Sequence, residues 1–304
     1  MKIAYIGHVH FANRLSSAFQ KRGYETKVFD YNKWGRNFNS SMNAVKKFDV
    51  IHFISGTGLR KFLYAAVLRF FLNKFLIVHF VGSDVTRLQT RKLFDRLNWM
   101  GAINIAHRVF CVASWLTEEL KPFCKAETFP LFYRNFSVQP LSAPTRFTIL
   151  SYIPNTRPKF YGRNITEKLI KNNPDIYFII LGSDLLNDYP NVETHDIDYQ
   201  EDMNKYYQNI SLLLRLTEHD GLSNMVLESL AWNKHVVWTY KFPFVHKVNR
   251  NLNDVQQIIN ELKNNNSNSG ASNWIKENFN YDSFLNSLEG LYNNPTSPIK
   301  KASY

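Results

Sequence analysis

The sequence predicts an α/β protein of two Rossmann-like domains, each built on a parallel sheet with helices on both faces. Short apolar stretches alternate with helix-like stretches, as they do where crossover helices join parallel strands. The alternation occurs twice, on either side of a polar, proline-bearing stretch at 140–144 that is typical of a linker between domains. The length of 304 residues also suits two domains of ordinary size.

Residues 1–140 are interpreted as the N-terminal Rossmann-like domain. Its apolar stretches predict strands at 2–6, 25–29, 49–54, 75–80, 108–112 and 127–129. The stretches between them predict helices at 11–22, 59–72, 87–106 and 114–123.

Residues 141–280 repeat the pattern as a C-terminal Rossmann-like domain. Strands are predicted at 147–152, 176–181, 210–216 and 235–240, and helices at 163–172, 200–208, 223–232, 255–263 and 271–279. The Asn-rich run 264–269 is a predicted loop, and residues 281–304 are interpreted as a last helix, 283–292, with a tail that frays. Open parallel sheets bind ligands at the carboxyl ends of their strands, so the loops after the strands are the candidate sites.

Charge divides unequally between the two halves. The net charge is +12, and residues 1–140 hold 21 Lys and Arg against 8 Asp and Glu, whereas residues 141–304 hold 16 against 17. A basic N-terminal half indicates an anionic partner for that half, either an anionic acceptor or an anionic membrane surface. A nucleic acid would give the same charge signal, but no helix-turn-helix, zinc-finger or RNP-type motif accompanies it.

Other classes of protein lack support in the sequence. No apolar stretch approaches the ~20 residues that span a bilayer. The first residues read as a strand rather than as a secretory signal peptide. The two cysteines, Cys111 and Cys124, lack the spacing of a zinc site or a disulfide framework. The sequence therefore predicts a cytoplasmic protein.

Two basic segments of the N-terminal half are candidates for a membrane contact. The charges of 59–74 surround a predicted helix instead of forming one polar face, so this segment is either a crossover helix or an interfacial anchor. The second cluster is the better candidate for a surface contact, because it continues from the end of a strand. It consists of Arg87, Arg91, Lys92 and Arg96.

The segment 210–240 carries the strongest functional signal. An apolar strand breaks at a polar turn containing Gly221, a short helix follows, and a second apolar strand ends the segment. Asp220 lies in the turn and Glu228 about two helical turns further on. The free amides at a helix N-terminus favour an anion, and ionised carboxylates accept hydrogen bonds from sugar hydroxyls. An anion joined to a polyol describes a nucleotide-sugar.

This segment resembles the retaining glycosyltransferases of the GT-B fold that carry a Glu-(seven residues)-Glu motif. Thr217, Asp220-Gly221 and the run 227–231, Leu-Glu-Ser-Leu-Ala, occupy the positions of that motif. Asp220 replaces the first Glu and is one methylene shorter. The resemblance implies two Rossmann-like domains facing an interdomain cleft, with the acceptor on the N-terminal domain and the donor on the C-terminal domain.

The resemblance also implies roles for individual residues. Asp220 is the candidate catalytic residue that binds hydroxyls of the donor sugar, and Glu228 binds the ribose of the nucleotide. Gly221 and the backbone amides of the next three residues approach the sugar and the diphosphate; these three are Leu222, Ser223 and Asn224. The family stabilises the diphosphate without a bound metal, so neither a metal nor another cofactor is expected.

Cations of the C-terminal half are candidates for holding the diphosphate. Relatives place Arg and Lys after the first strand of this domain, whereas Thr156 and Tyr161 stand at those positions here. Arg157 and Lys159 lie close by and are the substitutes. Arg215 lies inside an apolar strand and needs an anionic partner if it is buried, which a diphosphate would supply.

Candidates in the N-terminal half follow its first and fourth strands. Gly7 permits a close approach of the backbone, and His8 is a candidate for lining the cleft. Relatives carry His-Gly-Ser-Asp after the fourth strand, but this chain has Val81 in place of the His. His79 lies on the same face of the strand and is the catalytic candidate by geometry, or it is a strand residue pointing elsewhere. Asp84 either caps the following helix or binds acceptor hydroxyls.

These observations predict a membrane-peripheral glycosyltransferase. It would move a sugar from a UDP- or GDP-linked donor to a lipid-linked or polysaccharide acceptor, and the resemblance implies retention of configuration. Because Val81, Thr156 and Tyr161 replace expected residues, an inactive GT-B-like binding or scaffold protein is the alternative. A basic nucleic-acid-binding protein is the third hypothesis.

Overall fold

The chain divides into two compact units, each built on one sheet of six parallel strands. The computed structural model of the chain describes residues 1–30, 38–55, 59, 61–132, 134–136, 144, 146–197, 203–263, 267–294 and 296. The N-terminal unit comprises residues 1–134 and the last helix, and the C-terminal unit comprises Asn135–Asn280. The predicted α/β fold class with two parallel sheets is confirmed. Most of the predicted linker at 140–144 and of the predicted tail lies outside the described residues.

The sheet of the N-terminal unit has the strand order β2-β1-β3-β4-β5-β6. Its strands are β1 (Lys2–Gly7), β2 (Glu25–Asp30), β3 (Val50–Ile54), β4 (Phe75–Phe80), β5 (Arg108–Cys111) and β6 (Glu127–Thr128). Every residue of the central strands β3 and β4 is buried, including His52 and His79, as expected in a sheet covered on both faces.

Helices join these strands. They are α1 (Val9–Lys21), α2 (Phe38–Val45), α3 (Phe62–Ala66), α4 (Ser83–Gln89), α5 (Leu93–Ile105) and α6 (Ser114–Leu120). In place of the predicted helix 59–72 the structure has α3 continued by a π-helical turn, Val67–Phe71. The predicted helix 87–106 is two helices. The hydroxyl of Thr90 donates to the Thr86 carbonyl at 2.9 Å where α4 ends, a bond of the type that disturbs a helix.

The sheet of the C-terminal unit has the strand order β9-β8-β7-β10-β11-β12. Its strands are β7 (Thr148–Tyr152), β8 (Tyr177–Leu181), β9 (Val192–His195), β10 (Leu212–Arg215), β11 (His235–Trp238) and β12 (His246–Lys247). The chain runs outward from β7 through β8 to β9, then returns to form β10 on the other side of β7. The edge strands β9 and β12 are short and polar, so they lack the apolar pattern from which the sequence predicts strands.

The helices of this unit are α7 (Arg163–Asn172), α8 (Asn204–Tyr207), α9 (Asn224–Ala231), α10 (Leu252–Leu262) and α11 (Ala271–Asn278). The core lies between the sheet and helices α7 and α10, where Phe178 and Leu214 of the sheet belong to one apolar cluster with Leu169 and Ile259 of the helices. The side chain of Asn251 accepts from the Asp254 amide at 2.9 Å and so caps α10.

The last helix, α12 (Tyr281–Asn293), completes the core of the N-terminal unit. The hydroxyl of Tyr292 lies 2.8 Å from Nδ1 of His52 on β3, and Glu289 accepts from the Tyr24 hydroxyl at 2.7 Å. The apolar side chains of Phe284, Leu288 and Leu291 are buried. The N-terminal unit is therefore assembled from two separate segments of the chain.

Replacing Gly7 with alanine is expected to destabilise the protein by about 3 kcal/mol or more, since a strained backbone alone costs about 1–3 kcal/mol. Gly7 has φ +142°, and a Cβ there would lie 1.9 Å from the carbonyl oxygen of Ile54. Gly23 is the control, because it has φ +86° but no atom within 4 Å of its Cβ position. Urea unfolding should show a much larger loss for Gly7→Ala than for Gly23→Ala, and equal losses would contradict the close approach.

Candidate functional site

The strand order of the C-terminal unit defines a crevice at the carboxyl ends of β7 and β10. The chain leaves these neighbouring strands in opposite directions, so the loops that follow them diverge. The loop after β7 carries Arg157 and Lys159, and the loop after β10 carries Asp220. The fold therefore brings the predicted donor-binding segments to one edge of one sheet.

Arg215, the last residue of β10, forms a two-point ion pair with Asp220. Its Nε donates to Oδ2, and its Nη2 donates to Oδ1 at 3.0 Å. The Thr217 hydroxyl also donates to Oδ2, at 3.1 Å. Both charged side chains are only 13% exposed. Burial opposes the charge of Arg215, but the carboxylate of Asp220 outweighs it and raises the pKa of the guanidinium. The sequence predicts an anionic partner for Arg215 if it is buried, and in the structure that partner is the carboxylate of Asp220.

The turn that carries Asp220 is fixed to the neighbouring strand. The Asp220 amide donates to the Tyr240 hydroxyl at 3.1 Å, and the Thr239 hydroxyl donates to the Thr217 carbonyl at 3.1 Å. Helix α9 begins directly after this turn. Gly221, Leu222 and Ser223, which precede the helix, are buried, and Asn224 is its first residue. The turn therefore holds a carboxylate in a fixed position just before a helix N-terminus.

Glu228 lies in the second turn of α9 and is 4% exposed. Its Oε2 accepts from the Tyr207 hydroxyl at 2.7 Å. The Trp232 indole likewise donates to the Asn204 side chain at 3.2 Å, so α9 is joined to α8 at two points. The structure gives Glu228 an internal partner, and its binding of ribose stays a prediction.

Gly162 and Arg250 hold the loops after β7 and β10 together. Gly162 has φ +85°, and a Cβ there would lie 2.5 Å from the Leu216 Cβ. The Arg250 guanidinium donates to the carbonyls of Lys159 and Leu216, the latter at 2.8 Å, and pairs with Glu218 at 3.0 Å. These contacts join the two loops across the crevice edge.

The charged ends of Arg157 and Lys159 lie on the surface. Both residues are exposed, and the Arg157 guanidinium stacks over the Phe160 ring at 4.8 Å. Tyr161, which stands where relatives have Lys, packs edge-on against Tyr152. The contribution of Arg157 and Lys159 to diphosphate binding stays a prediction.

In the N-terminal unit the order of strands reverses between β1 and β3, so the corresponding crevice lies at their carboxyl ends. Gly7 ends β1, and the amide of the exposed His8 donates to the Ile54 carbonyl at 2.7 Å. Ser55 follows β3 with φ +106°, a strained conformation of the kind that clusters at functional sites. Gly7 and His8 are therefore at the edge of this crevice, and a role for them in lining a cleft stays a prediction.

The carboxylate of Asp84 fixes the turn between β4 and α4. It is buried and accepts from the amide of Gly82 at 2.9 Å and from those of Val81 and Val85 at 3.2 Å. Asp84 is the second residue of α4, and its carboxylate accepts from amides at and before the start of the helix. Its binding of acceptor hydroxyls stays a prediction.

His79 of β4 lies in the core of the N-terminal unit. It is fully buried, its Nε2 donates to the Phe129 carbonyl at 2.8 Å, and its ring stacks on that of His52 at 5.7 Å. This is the position of a packed strand residue, the second of the two interpretations that the sequence offered. A catalytic role for His79 stays a prediction.

Solved structures resemble the whole chain. No family model and no curated protein sequence matches it. Sucrose-phosphate synthase from Thermosynechococcus elongatus is similar over 97% of this chain and 99% of its own, with 12% identity and a TM-score of 0.74. Anabaena HepE, in complex with UDP and glucose, is similar over 96% and 99%, with 11% identity and a TM-score of 0.72. The chain has the GT-B fold.

A third GT-B structure extends the comparison. The catalytic domain of starch synthase IV from Arabidopsis thaliana, bound to ADP and acarbose, covers 96% of this chain and 99% of its own, with 9% identity and a TM-score of 0.62. Such identities establish the fold, while the reaction depends on the side chains at the site.

Several residues at the GT-B crevices were not singled out from the sequence. They are Ser55, Tyr207, Tyr240 and Arg250. Tyr240 gave a usable signal, because it follows the strand that neighbours β10 and so reaches the same sheet edge. The φ of Ser55 and the hydrogen bond from Tyr207 to Glu228 depend on tertiary packing, which no local pattern of residues encodes.

The described residues of this GT-B chain contain neither a metal-ligand cluster nor a membrane-crossing helix. No three His, Cys, Asp or Glu side chains there are grouped as metal ligands would be. Within the same residues, no helix has the length and apolarity needed to cross a bilayer.

Acid is expected to destabilise the N-terminal unit through its buried histidines. Burial lowers the pKa of His79 from 6.5 to about 4, and burial together with His79 lowers that of His52. In acid, these histidines therefore bind protons in the unfolded chain but stay neutral in the folded chain. The stability contributed by His79 is complete above pH 6.5 and falls by about 1.4 kcal/mol per pH unit as the pH drops towards 4.

Urea unfolding of the wild type and of His79→Leu between pH 4 and 7 measures this contribution. The variant should lose less stability per pH unit than the wild type, even if it is less stable throughout. Equal slopes would contradict the depressed pKa of His79.

Proposed function

We propose that the chain is a glycosyltransferase that takes its sugar from a UDP- or GDP-linked donor bound to the C-terminal unit. The observation that carries the proposal is the Arg215–Asp220 turn before the N-terminus of α9, at the crevice of a GT-B sheet. HepE was solved with UDP and glucose, and starch synthase IV with ADP. The donor proposed here is of the same chemical class.

The proposed chemistry follows from the charges at this crevice. The α9 N-terminus and the Arg215 guanidinium stabilise the negative charge that develops on the departing diphosphate. The Asp220 carboxylate accepts hydrogen bonds from hydroxyls of the donor sugar. These groups supply the stabilisation without a metal ion, so we expect full activity in the presence of EDTA. Loss of activity in EDTA that Mg²⁺ restores would contradict this part of the proposal.

The acceptor proposed for the N-terminal unit is anionic, either lipid-linked or a polysaccharide. The excess of Lys and Arg in residues 1–140 supports this assignment, because opposite charge attracts and orients such an acceptor. We further propose that the sugar keeps its anomeric configuration. The NMR coupling constant of the anomeric proton in donor and product tests this, and inversion would contradict it.

Nucleotide binding is the first test. Thermal unfolding is followed with UDP, GDP and the corresponding nucleosides, which lack the diphosphate. At a hundred times its Kd, the correct diphosphate should stabilise the protein by about 2.7 kcal/mol, and the nucleosides should have little effect. Equal shifts with nucleoside and diphosphate, or no shift with either diphosphate, would contradict the assigned donor site.

A second candidate function is that of an inactive GT-B-like binding protein. The engagement of Asp220 by both Arg215 and Thr217 favours it, as do Val81 and Tyr161 at positions where relatives carry His and Lys. Such a protein would bind the nucleoside diphosphate and turn over no donor. Release of free sugar or transfer to any acceptor would exclude this alternative.

A further inference from the structure

Large apolar side chains are exposed together in one region of the N-terminal unit. Ten large apolar residues are exposed among those that the structure describes, and seven of them lie between positions 62 and 97. Phe71 is 82% exposed and Phe94 is 80% exposed. The seven residues, hereafter the aromatic surface, are Phe62, Leu63, Phe70, Phe71, Leu93, Phe94 and Leu97.

The two segments that carry the aromatic surface pack against each other. The Phe62 amide donates to the Asn98 side chain at 2.8 Å, and the Phe62 ring lies 2.8 Å from the Cβ position of Gly101. The start of α3 therefore lies beside α5. This contact places the exposed Phe62 and Leu63 beside α5, on which Leu93, Phe94 and Leu97 are exposed. Phe70 and Phe71 are exposed in the π-helical turn that continues α3.

Helix α5 presents apolar residues on two opposite faces. Trp99, Ala102 and Ile103 are buried against the unit. Leu93, Phe94 and Leu97 occupy an arc of roughly 100° on the other side of the helix. The inner face accounts for the packing of α5, so the outer face needs a partner of its own. Contiguous apolar patches on a protein surface mark contacts with other molecules or with membranes.

The charge around the aromatic surface indicates that its partner is anionic. Residues 60–96 contain eight Lys and Arg but only two Asp and Glu, and one of the two acids, Asp84, is buried. The basic residues Arg87, Arg91 and Lys92 are exposed next to α5. A second copy of this chain would bring like charges together, which opposes association. An anionic bilayer suits both the basic and the apolar side chains of this region. Headgroup phosphates bind the cations, and aromatic side chains insert at the membrane interface.

We propose that the aromatic surface docks on an anionic lipid bilayer. Phe71 and Phe94 enter the boundary between headgroups and acyl chains, and Arg91 and Lys92 bind lipid phosphates. The contact is peripheral, consistent with the absence of a membrane-crossing helix from the described part of the chain. The proposal is independent of the transferase activity, because vesicle binding requires neither donor nor acceptor.

Vesicle co-sedimentation of the full chain tests the proposal. The wild type should sediment with phosphatidylglycerol vesicles, remain in solution with pure phosphatidylcholine, and bind less at high salt. Arg91→Gln with Lys92→Gln should lower the partition coefficient by about twenty-fivefold, at roughly fivefold per charge. Phe71→Ser with Phe94→Ser should lower it by at least about tenfold.

Matched controls remove the same groups elsewhere. Lys21→Gln with Lys125→Gln removes two exposed charges from the same unit, and Phe244→Ser removes an exposed ring from the other unit. Both should keep wild-type binding. The proposal is overturned if wild type fails to bind phosphatidylglycerol or if the controls lose as much as the test variants. It is also overturned if light scattering shows that the wild type is a dimer that Phe71→Ser with Phe94→Ser dissociates, while vesicle binding stays intact.

Thermal shift with the nucleoside diphosphate separates this proposal from the proposed function. The surface variants should keep the wild-type shift, because the donor crevice lies in the C-terminal unit. Loss of the shift in these variants would mean that the substitutions damage the fold, and the vesicle result would then count against the proposal.

Discussion

Asp220→Ala is expected to reduce sugar transfer by roughly a hundredfold or more, because the donor sugar loses the carboxylate that positions it. It should also destabilise the protein by about 3 kcal/mol, because it leaves the buried Arg215 guanidinium without its anionic partner. Initial rates with saturating donor measure the first effect, and urea unfolding measures the second. Few single substitutions in the C-terminal unit should change both quantities so strongly.

A double variant separates the loss of transfer rate from the loss of stability. Asp220→Ala combined with Arg215→Met removes the unpaired charge and replaces it with an apolar side chain. This variant should recover most of the lost stability, because replacing a whole buried ion pair with apolar groups is often neutral. Its transfer rate should stay low. Recovery of activity along with stability would show that neither Asp220 nor Arg215 takes part in sugar transfer.

If the Glu228 carboxylate binds the ribose hydroxyls, Glu228→Gln is expected to weaken nucleotide binding by roughly tenfold to a hundredfold. This range corresponds to the free energy of hydrogen bonds to a charged group. The change preserves the size of the side chain in a buried position of α9. Isothermal titration with the nucleoside diphosphate gives Kd, and titration with the same base attached to a 2′,3′-dideoxyribose diphosphate shows whether the ribose is what the carboxylate recognises.

Tyr207→Phe is the matched control for Glu228. It removes the hydrogen bond between Tyr207 and Glu228 and leaves the carboxylate in place. If Glu228 only joins α8 to α9, both variants should lower stability and leave Kd unchanged. If Glu228 binds ribose, Kd should rise for Glu228→Gln and stay near the wild-type value for Tyr207→Phe.

The sequence predicts the fold well where an apolar stretch has to be buried on both faces of a sheet. The central strands β3, β4 and β8 are mostly apolar runs, with His52 and His79 as the exceptions in β3 and β4, and a parallel sheet covered on both faces accommodates such runs. Helix α7 matches its predicted range at both ends, and Gly162, immediately before its first residue, adopts φ +85°. The strand–turn–helix–strand segment around Asp220 was likewise predicted in the right order.

The partners of individual side chains were not predictable from the sequence. Asp220 and Arg215 were both selected from the sequence, but each was assigned to a ligand, and their mutual pairing depends on the curvature of the turn between them. His79 was selected because its neighbour Val81 replaced a His, whereas its burial results from packing against β5 and the segment near Phe129. The break between α4 and α5 escaped notice, because helical periodicity continues through it.

The placement of α12 has a consequence for biosynthesis. The strands of the N-terminal unit emerge from the ribosome first, yet His52 and Tyr24 meet their partners on α12 only after the whole C-terminal unit has been translated. A nascent chain that ends before α12 exposes the apolar surface that this helix covers and is a natural client for chaperones. A circular permutant that begins with α12 and is joined through a short linker to β1 would make this half contiguous and allow it to mature during translation.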